Sequence, residues 1–297
     1  MRIAHVTDAY LPRLGGIETH VDGLARHQVA AGHEVHVLTT TPGPRGRPES
    51  PLVVHRGSRR ALRAVLAGGD FDLVHVHVSV FSPLGMTLSS AACVAGTPVA
   101  VTVHSMWPDV PALVRPAGAG LRLAHRPLAW SAVSRSAAGP LRRALGDGVR
   151  IDVVPNAVDV SWWRAGTAAL GGRDGAVVVT SLMRMAARKR PVPLLRSLRD
   201  LRRQVPAEVP LRAVIAGDGP QLAHVRRLVA RWGMAGWVEL PGRVTREQAR
   251  VLLHASDVYV APADLESFGI AALEARAVGL PVVAKRAGGV GEFVVHG

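Results

Sequence analysis

The sequence predicts an α/β protein built from two Rossmann-like domains. Short runs rich in valine and isoleucine alternate with amphipathic segments along the chain, which is typical of buried parallel strands joined by helices. The length of 297 residues is enough for two medium-sized hydrophobic cores. The alternation breaks at residues 155–175, so we predict domains at residues 1–165 and 170–297.

Eleven segments have the length and composition of strands. Six precede the break and five follow it: Arg2–Thr7, Glu34–Thr39, Leu73–His77, Val99–His104, Ser131–Ser134, Ile151–Val154, Ala176–Ser181, Leu211–Ala216, Val238–Leu240, Val258–Ala261 and Pro281–Ala284. Amphipathic helices are predicted between them, for example at Ile17–Ala31, Pro191–Gln204, Gln221–Trp232 and Arg246–His254.

Composition and hydropathy indicate a globular cytoplasmic protein. The longest stretch without charge or histidine, Val78–Val103, is divided by proline and glycine into a helix and a strand, so no membrane span is predicted. The N-terminus has the pattern of a strand and meets Asp8 too soon for a signal peptide. The single cysteine, Cys93, has apolar neighbours and is expected to be reduced.

The net charge of +14 favours anionic partners. Of the 36 basic residues, only Lys189 and Lys285 are lysines, and the arginines are scattered along the chain. The sequence has no basic arm, zinc-finger spacing or helix-turn-helix, so we predict no nucleic-acid binding. Sugar nucleotides, phosphorylated acceptors and an anionic membrane surface, contacted peripherally, remain as partners.

The segment Glu266–Glu274 is the most informative part of the chain. If its helix begins near Phe268, Glu266 lies in the preceding turn and Glu274 about two turns later, so both carboxylates face nearly the same side. Gly269 lies near the helix N-terminus, whose unpaired N–H groups suit a diphosphate. Carboxylates for hydroxyls beside amides for phosphates suit a sugar nucleotide. Alternatively, Glu266 interacts only with the helix dipole and Glu274 is a surface glutamate.

Two cations follow the first strand of the second domain. Arg184 and Lys189 lie five residues apart in a strand-to-helix loop, where both side chains could bind a diphosphate. The alternative is a solvated basic loop.

Three glycine-rich turns follow other predicted strands. Gly15 and Gly16 precede a helix, where the backbone can approach a ligand closely, although a plain tight turn has the same pattern. Gly217-Asp218-Gly219 permits close approach of a nucleoside, or Asp218 caps the next helix. Gly288-Gly289 offers N–H groups to a phosphate or is an ordinary loop.

Histidines end two neighbouring strands. His75 and His77 are predicted on one face of their strand, a possible metal site that lacks carboxylate or cysteine companions. His104 lies at the carboxyl end of its strand, where open α/β sheets bind ligands. It is expected either to contact a sugar or to be a buried, hydrogen-bonded histidine.

Together these residues resemble glycosyltransferase family 4, the retaining enzymes of the GT-B fold. The matching positions run in the family's order through Gly15-Gly16, Val154–Asp159, Arg184, Lys189, Gly217–Pro220, Glu266–Glu274 and Gly288-Gly289. The resemblance implies an acceptor-binding first domain and a second domain that binds a nucleoside-diphosphate sugar.

The resemblance also assigns roles to single residues. It implies that Arg184 and Lys189 bind the diphosphate, that Glu266 binds the donor sugar's hydroxyls, and that Glu274 binds the ribose. Gly16 would border the phosphates, and His104 would contact the sugar near its reacting carbon. The family transfers sugar without a protein nucleophile and usually without a metal, so no cofactor is expected. Fixed cations and N–H dipoles would stabilise the leaving diphosphate.

Two features depart from the family pattern. Met183 stands where a glycine commonly precedes the arginine, and the chain ends before the family's last elements, so we expect a truncated, incomplete second domain. The expected activity is retaining transfer of a hexose to a lipid, polyol phosphate or glycan. The alternatives are a catalytically silent sugar-nucleotide-binding remnant, or an epimerase or phosphorylase on the same scaffold.

Overall fold

The computed structural model describes residues 1–13, 15–43, 52–107, 127–146, 148–165 and 175–295. The chain divides into two compact units, Met1–Ala157 and Val158–Gly297. Each contains a parallel sheet with helices between its strands, which confirms the predicted α/β class with two Rossmann-like units. The predicted domain limits, residues 1–165 and 170–297, stay a prediction, because residues 166–174 lie outside the described part of the chain.

The N-terminal unit is built on a seven-stranded sheet with the order β3-β2-β1-β4-β5-β6-β7. Its elements are β1 (Arg2–Thr7), α1 (Gly16–Ala30), β2 (Glu34–Thr39), β3 (Leu52–Arg56), α2 (Arg59–Ala67), β4 (Leu73–Val78), α3 (Pro83–Val94), β5 (Val99–Val103), β6 (Leu128–Ala132), α4 (Arg135–Leu145) and β7 (Ile151–Val153). All pairings are parallel.

The C-terminal unit is built on a five-stranded parallel sheet with the order β10-β9-β8-β11-β12. Its elements are α5 (Val160–Arg164), β8 (Val177–Leu182), α6 (Pro191–Gln204), β9 (Leu211–Ala216), α7 (Leu222–Arg231), β10 (Val238–Gly242), α8 (Arg246–His254), β11 (Val258–Ala261), α9 (Ile270–Ala277) and β12 (Val282–Ala284).

Helices cover both faces of this second sheet. On one face α6 and α7 pack on β8 and β9, with Leu195, Val225 and Ile215 in the shared core. On the other face α5, α8 and α9 pack around Trp163 and Tyr259. Burial on both faces explains why the central strands are continuous apolar runs rather than alternating ones.

Short polar side chains fix the starts of four helices, because each accepts a hydrogen bond from an otherwise unpaired backbone N–H group. These caps are Ser58 for α2, Ser134 for α4, Asp159 for α5 and Thr245 for α8. Thr245 also forms a reciprocal capping box with Gln248.

Two strand predictions are wrong in detail. The strand Leu52–Arg56 was not predicted; its residues after Leu52 are only partly buried at the sheet edge, and its sequence lacks a full apolar run. The strand predicted at Ser131–Ser134 lies at Leu128–Ala132. Ser134 instead caps α4 by accepting a hydrogen bond from the Ala137 N–H at 2.9 Å.

None of the helices that the structure describes is both long and apolar enough to cross a bilayer.

Candidate functional site

Four loops of the C-terminal unit leave the sheet at the carboxyl ends of its parallel strands. They are residues 183–190 after β8, 217–221 after β9, 262–269 after β11 and 285–288 after β12. Parallel strands place such loops at one edge, which is where open α/β sheets bind ligands. Most of the residues predicted in this unit lie on these loops.

The first of these loops brings Lys189 to Glu266. Lys189 ends a 3₁₀ turn, and Arg190 adopts a left-handed φ of 59° before α6 begins at Pro191. The Lys189 ammonium forms an ion pair with the Glu266 carboxylate, and their side chains are 21% and 18% exposed. Both groups are therefore held in place yet remain reachable from solvent.

A second ion-pair network lies among the same loops and was not predicted. Arg190 and Lys285 both pair with Asp264. Asp264 is two residues from Glu266, and Arg190 follows Lys189, so the networks share two loops. Their sequence signal was weak, because acidic residues in a loop do not show which distant cations they will meet.

Arg184, unlike Lys189 and Arg190, pairs with no carboxylate among the described residues. It is exposed, and its guanidinium makes no hydrogen bond or ion pair with any residue that the structure describes. Unlike Lys189, this cation does not have to break an ion pair to meet an anion.

The glycines after β12 support the backbone of Glu266. The Gly289 N–H donates to the Glu266 carbonyl at 2.8 Å. A Cβ atom at Gly288 would lie 2.8 Å from the same oxygen, and one at Gly289 would lie 2.2 Å from the Ser267 carbonyl oxygen. Close packing therefore requires glycine at both positions, and the Gly289 N–H is already used within the protein.

The glycines after β9 pack against the loop that carries Arg184. A Cβ at Gly217, whose φ is 137°, would lie 1.7 Å from the Met183 carbonyl oxygen. Main-chain hydrogen bonds from Met185 N–H to the Asp218 carbonyl at 2.9 Å and from Met183 N–H to Ala216 at 3.0 Å join the loops. Backbone packing thus explains Gly217 without a ligand.

The suggestion that Asp218 caps a helix is wrong. Its exposed carboxylate accepts a hydrogen bond from the Gly219 N–H at 2.7 Å, while α7 begins at Leu222 without a side-chain cap.

The helix after Glu266 begins later than predicted. Gly269 has a φ of 92° and precedes α9, which starts at Ile270, so residues 266–269 do not share the helical period. The argument that put Glu266 and Glu274 on one face by counting 100° per residue is therefore wrong. A Cβ at Gly269 would lie 2.4 Å from Val290, so glycine is required there by conformation and by space.

Glu274 is buried, so its interpretation as a surface glutamate is wrong. Only 9% of the residue is exposed. Burial raises the pKa of its carboxyl from 4.5 to about 8, and the Arg246 guanidinium opposes this rise. The carboxyl in turn raises the pKa of Tyr259, which burial already raises most.

In the N-terminal unit, His104 follows β5 and is buried. Its Nε2 lies 3.0 Å from His77 Nδ1, and the His20 ring of α1 lies 5.1 Å away, centroid to centroid. Burial, with smaller contributions from His20 and His75, holds its pKa well below the ordinary value. His104 therefore lies at the carboxyl edge of the sheet, where its ring is buried and its Nε2 contacts His77.

The prediction that His75 and His77 share a face is confirmed, since their ring centroids are 4.1 Å apart. Sequence reasoning missed His5 and His20, which pack against them from β1 and α1. The signal for His5 was a polar residue within the apolar strand β1, because a buried polar side chain needs a hydrogen-bonding partner.

The carboxylate of Glu18 lies against the turn at Gly15 and Gly16. Glu18 is buried and pairs with Arg13 at 3.2 Å. A Cβ at Gly15 would lie 2.5 Å from a Glu18 carboxylate oxygen. The Glu18 carboxylate therefore lies against the Gly15 backbone, while Gly16 begins α1 and is exposed.

Asp8, at the end of β1, was also missed. Its carboxylate accepts hydrogen bonds from the Leu84 and Gly85 N–H groups at 3.0 and 3.2 Å, which fixes the start of α3. Burial raises its pKa above the ordinary value, against these hydrogen bonds and the Arg59 charge.

Two family models together match nearly the whole chain. The model described as Glycosyltransferase Family 4 matches residues 14–162, just over half of the chain, and the one described as Glycosyl transferases group 1 matches residues 168–297.

Curated proteins are similar over almost all of this chain. It is 26% identical to a phosphatidylinositol N-acetylglucosaminyltransferase subunit of Arabidopsis thaliana, over 99% of this chain and 69% of that protein. It is also 26% identical to the GDP-mannose-dependent alpha-(1-6)-phosphatidylinositol monomannoside mannosyltransferase of Mycobacterium tuberculosis, over 99% of this chain and 83% of that protein.

A solved structure of sucrose-phosphate synthase from Thermosynechococcus elongatus matches with a TM-score of 0.78 and 19% identity, over 99% of this chain and 83% of that one. At this identity the likeness shows a common fold.

Proposed function

This chain belongs to glycosyltransferase family 4 and is a glycosyltransferase with the GT-B fold, and on that premise we propose that it transfers a hexose from a nucleoside diphosphate with retention of configuration. The ion pair between Lys189 and Glu266 is the observation that carries this proposal. It places a cation suited to a diphosphate beside a carboxylate suited to sugar hydroxyls, at the ligand-binding edge of a parallel sheet.

The cations act on the leaving group. As the bond from the anomeric carbon to the phosphate oxygen breaks, negative charge grows on the diphosphate. Arg184 and Lys189 stabilise that charge with their own positive charges. Arg184 supports this role because it is exposed and its guanidinium has no ionic partner among the described residues. Lys189 exchanges its pairing with Glu266 for one with phosphate.

Two glutamate side chains bind hydroxyl groups of the donor. Glu266 accepts hydrogen bonds from the hexose, on a backbone fixed by the Gly289 N–H. Glu274 binds the ribose, supported by its place in the first turns of α9. Gly217, Asp218 and Gly269 shape the loops that border the nucleotide rather than supplying side chains to it.

Two residues of the N-terminal unit complete the proposal. His104 contacts the sugar near its reacting carbon, which its position after β5 supports. Gly16 presents the first backbone N–H groups of α1 to phosphate oxygens, since the first turn of a helix leaves such groups unpaired.

We infer that the acceptor is a lipid with an inositol headgroup. The Arabidopsis and Mycobacterium relatives are both named for phosphatidylinositol-based acceptors. The net charge of +14 supports this class, because basic proteins are attracted to anionic lipid surfaces.

A matched pair of variants in one loop tests the mechanism. Transfer is first measured with uridine, guanosine and adenosine diphosphate hexoses, offering phosphatidylinositol vesicles, free inositol phosphate or glycogen as acceptor. Arg184→Ala is then compared with Arg188→Ala, which removes the same charge from another exposed side chain of the loop. We expect Arg184→Ala to lower kcat by about 10²–10³-fold. Arg188→Ala should change kcat less than about threefold, because of these two arginines only Arg184 is proposed to bind the diphosphate.

Equal effects of the two variants would show that only the general charge of the loop matters and would remove Arg184 from the mechanism. Transfer to glycogen alone would contradict the proposed acceptor. Binding of donors without turnover on any acceptor would favour the catalytically silent alternative.

A further inference from the structure

Three histidines of the N-terminal unit meet on one face of two central strands. His5 of β1 is directly opposite His75 of β4 in the strand register, and His77 lies two residues further along β4. The His5 ring centroid is 5.4 Å from that of His75 and 5.1 Å from that of His77. One nitrogen from each ring can be chosen so that all three lie within 4.8 Å of one another.

The outward nitrogen of each ring already has a partner. These contacts are His5 Nε2 to Gln28 Oε1 at 2.6 Å, His75 Nε2 to Thr102 Oγ1 at 2.7 Å, and His77 Nδ1 to His104 Nε2 at 3.0 Å. They orient all three rings and leave His5 Nδ1 and His77 Nε2 facing each other at 2.9 Å. Metal-binding histidines are held in the same way by a second layer of hydrogen bonds.

The rings are also in the protonation state that coordinates a metal. Burial lowers the pKa of His5 to about 4 and that of His75 to about 3. His77 is only 1% exposed. Neutral imidazole has a free lone pair and needs no deprotonation to bind an ion at neutral pH.

We propose that His5, His75 and His77 form a binding site for a divalent transition-metal ion, with zinc as the ion that their chemistry fits. Three imidazole nitrogens form a recurrent zinc ligand set, with water in the fourth position. Calcium and magnesium prefer oxygen ligands and are disfavoured here. The site would link the neighbouring central strands β1 and β4 beneath α1.

The nitrogens of His5 and His77 need only a small movement to admit an ion between them. His5 Nδ1 and His77 Nε2 are 2.9 Å apart, whereas two nitrogens of a tetrahedral zinc site are roughly 3.3 Å apart for bonds of about 2.0–2.1 Å. Opening the pair by a few tenths of an ångström is within the freedom of side-chain torsions.

Binding would also relocate a proton along the histidine chain. When Gln28 accepts from His5 Nε2–H, His5 Nδ1 is an acceptor, and the proton between the rings belongs to His77 Nε2. An ion on that nitrogen requires the proton to move to His77 Nδ1, which then donates to His104. Metal binding at His77 would therefore determine which ring nitrogen of His104 is protonated.

A second group, His20 with His77 and His104, shares one ring with this site. The ring of His20 makes no hydrogen bond to a described residue that would orient it. The complete set of outer partners therefore favours the site formed by His5, His75 and His77.

Zinc binding to the whole chain tests the proposal. The protein, with any purification tag removed and metal stripped by a chelator, is titrated with zinc chloride against a chromophoric competitor. We expect one zinc per chain and a melting temperature that rises with zinc concentration, because an ion bound only by the folded state stabilises it. Cobalt chloride should give the visible spectrum of a tetrahedral site. No stoichiometric binding by the unaltered protein would overturn the proposal, whatever the variants do.

Single-residue variants identify which side chains bind the zinc ion. His75→Gln should weaken zinc binding by at least about 100-fold, and Gln28→Leu, which removes an outer partner, by about 10–100-fold. The control is His55→Gln. His55 Nε2 lies 2.9 Å from His36 Nδ1 in the same unit, but no third histidine among the described residues completes a metal-binding group with this pair. Loss of zinc in the control but not in His75→Gln would also overturn the assignment. Both readouts are independent of sugar transfer.

Discussion

At the scale of single residues, Glu274 is the side chain whose environment differs most from its sequence interpretation. It is buried in α9 beside Arg246 and Tyr259, and its pKa is raised from 4.5 to about 8. A carboxyl with a raised pKa binds its proton more tightly in the folded state than in the unfolded state. Its contribution to stability is therefore complete below pH 4.5 and is lost as the pH rises through about 8.

Glu274→Gln should remove this pH dependence. The unaltered protein is expected to lose as much as about 5 kcal/mol of unfolding free energy between pH 4.5 and 8 through this group. The loss occurs because the unfolded chain releases the proton above pH 4.5, whereas burial keeps the folded carboxyl protonated up to about pH 8. The variant keeps a neutral amide and should lose much less. Urea unfolding of both proteins at intervals of pH measures the difference. The exposed control Glu208→Gln should retain the original profile, and an identical pH profile for Glu274→Gln would contradict the raised pKa.

The residue types of the candidate site could be predicted, but their partners could not. Arg184, Lys189 and Glu266 were found because cations and carboxylates followed predicted strands. The pairing of Lys189 with Glu266, which are 77 residues apart, depends on strand order in the folded sheet.

At the scale of elements, the loops after β8 and β9 behave as one structure. The Gly217 backbone occupies space next to the Met183 carbonyl that a side chain would fill, and its φ of 137° favours glycine. Main-chain hydrogen bonds then join the two loops. The position of Arg184 therefore depends on a neighbouring loop as well as on its own.

Gly217→Ala should destabilise the C-terminal unit by about 3 kcal/mol or more, since the new methyl group overlaps backbone atoms and the conformation is strained. The matched control is Gly236→Ala, where no atom lies within 4 Å of the added Cβ and a change of less than about 0.5 kcal/mol is expected. Thermal or urea unfolding compares them. Equal stability of the two variants would contradict the close packing.

Most strands could be predicted because valine and isoleucine dominate parallel strands that are covered on both faces. β3 could not, since an edge strand with partly exposed residues lacks that pattern. The start of α9 was placed too early because Gly269, in a left-handed conformation, separates the loop from the helix. Turn geometry of this kind depends on Val290, which is distant in sequence.

At the scale of the whole molecule, the chain contains two parallel α/β units and belongs to glycosyltransferase family 4. The fold supplies ligand-binding edges in each unit, and the side chains at those edges determine the chemistry. In the C-terminal unit these side chains include the cations and carboxylates of the loops after β8, β11 and β12. Such a set suits the proposed transfer, in which the protein stabilises the charge that grows on the departing diphosphate.

The anomeric configuration of the product tests this account most directly. The enzyme is supplied with the donor that gives the fastest transfer, and the glycosidic linkage formed is assigned by nuclear magnetic resonance. We expect the linkage to have the same configuration as the donor's bond to phosphate, for the unaltered enzyme and for the slower Arg184→Ala variant. A product of inverted configuration would contradict the proposed transfer with retention.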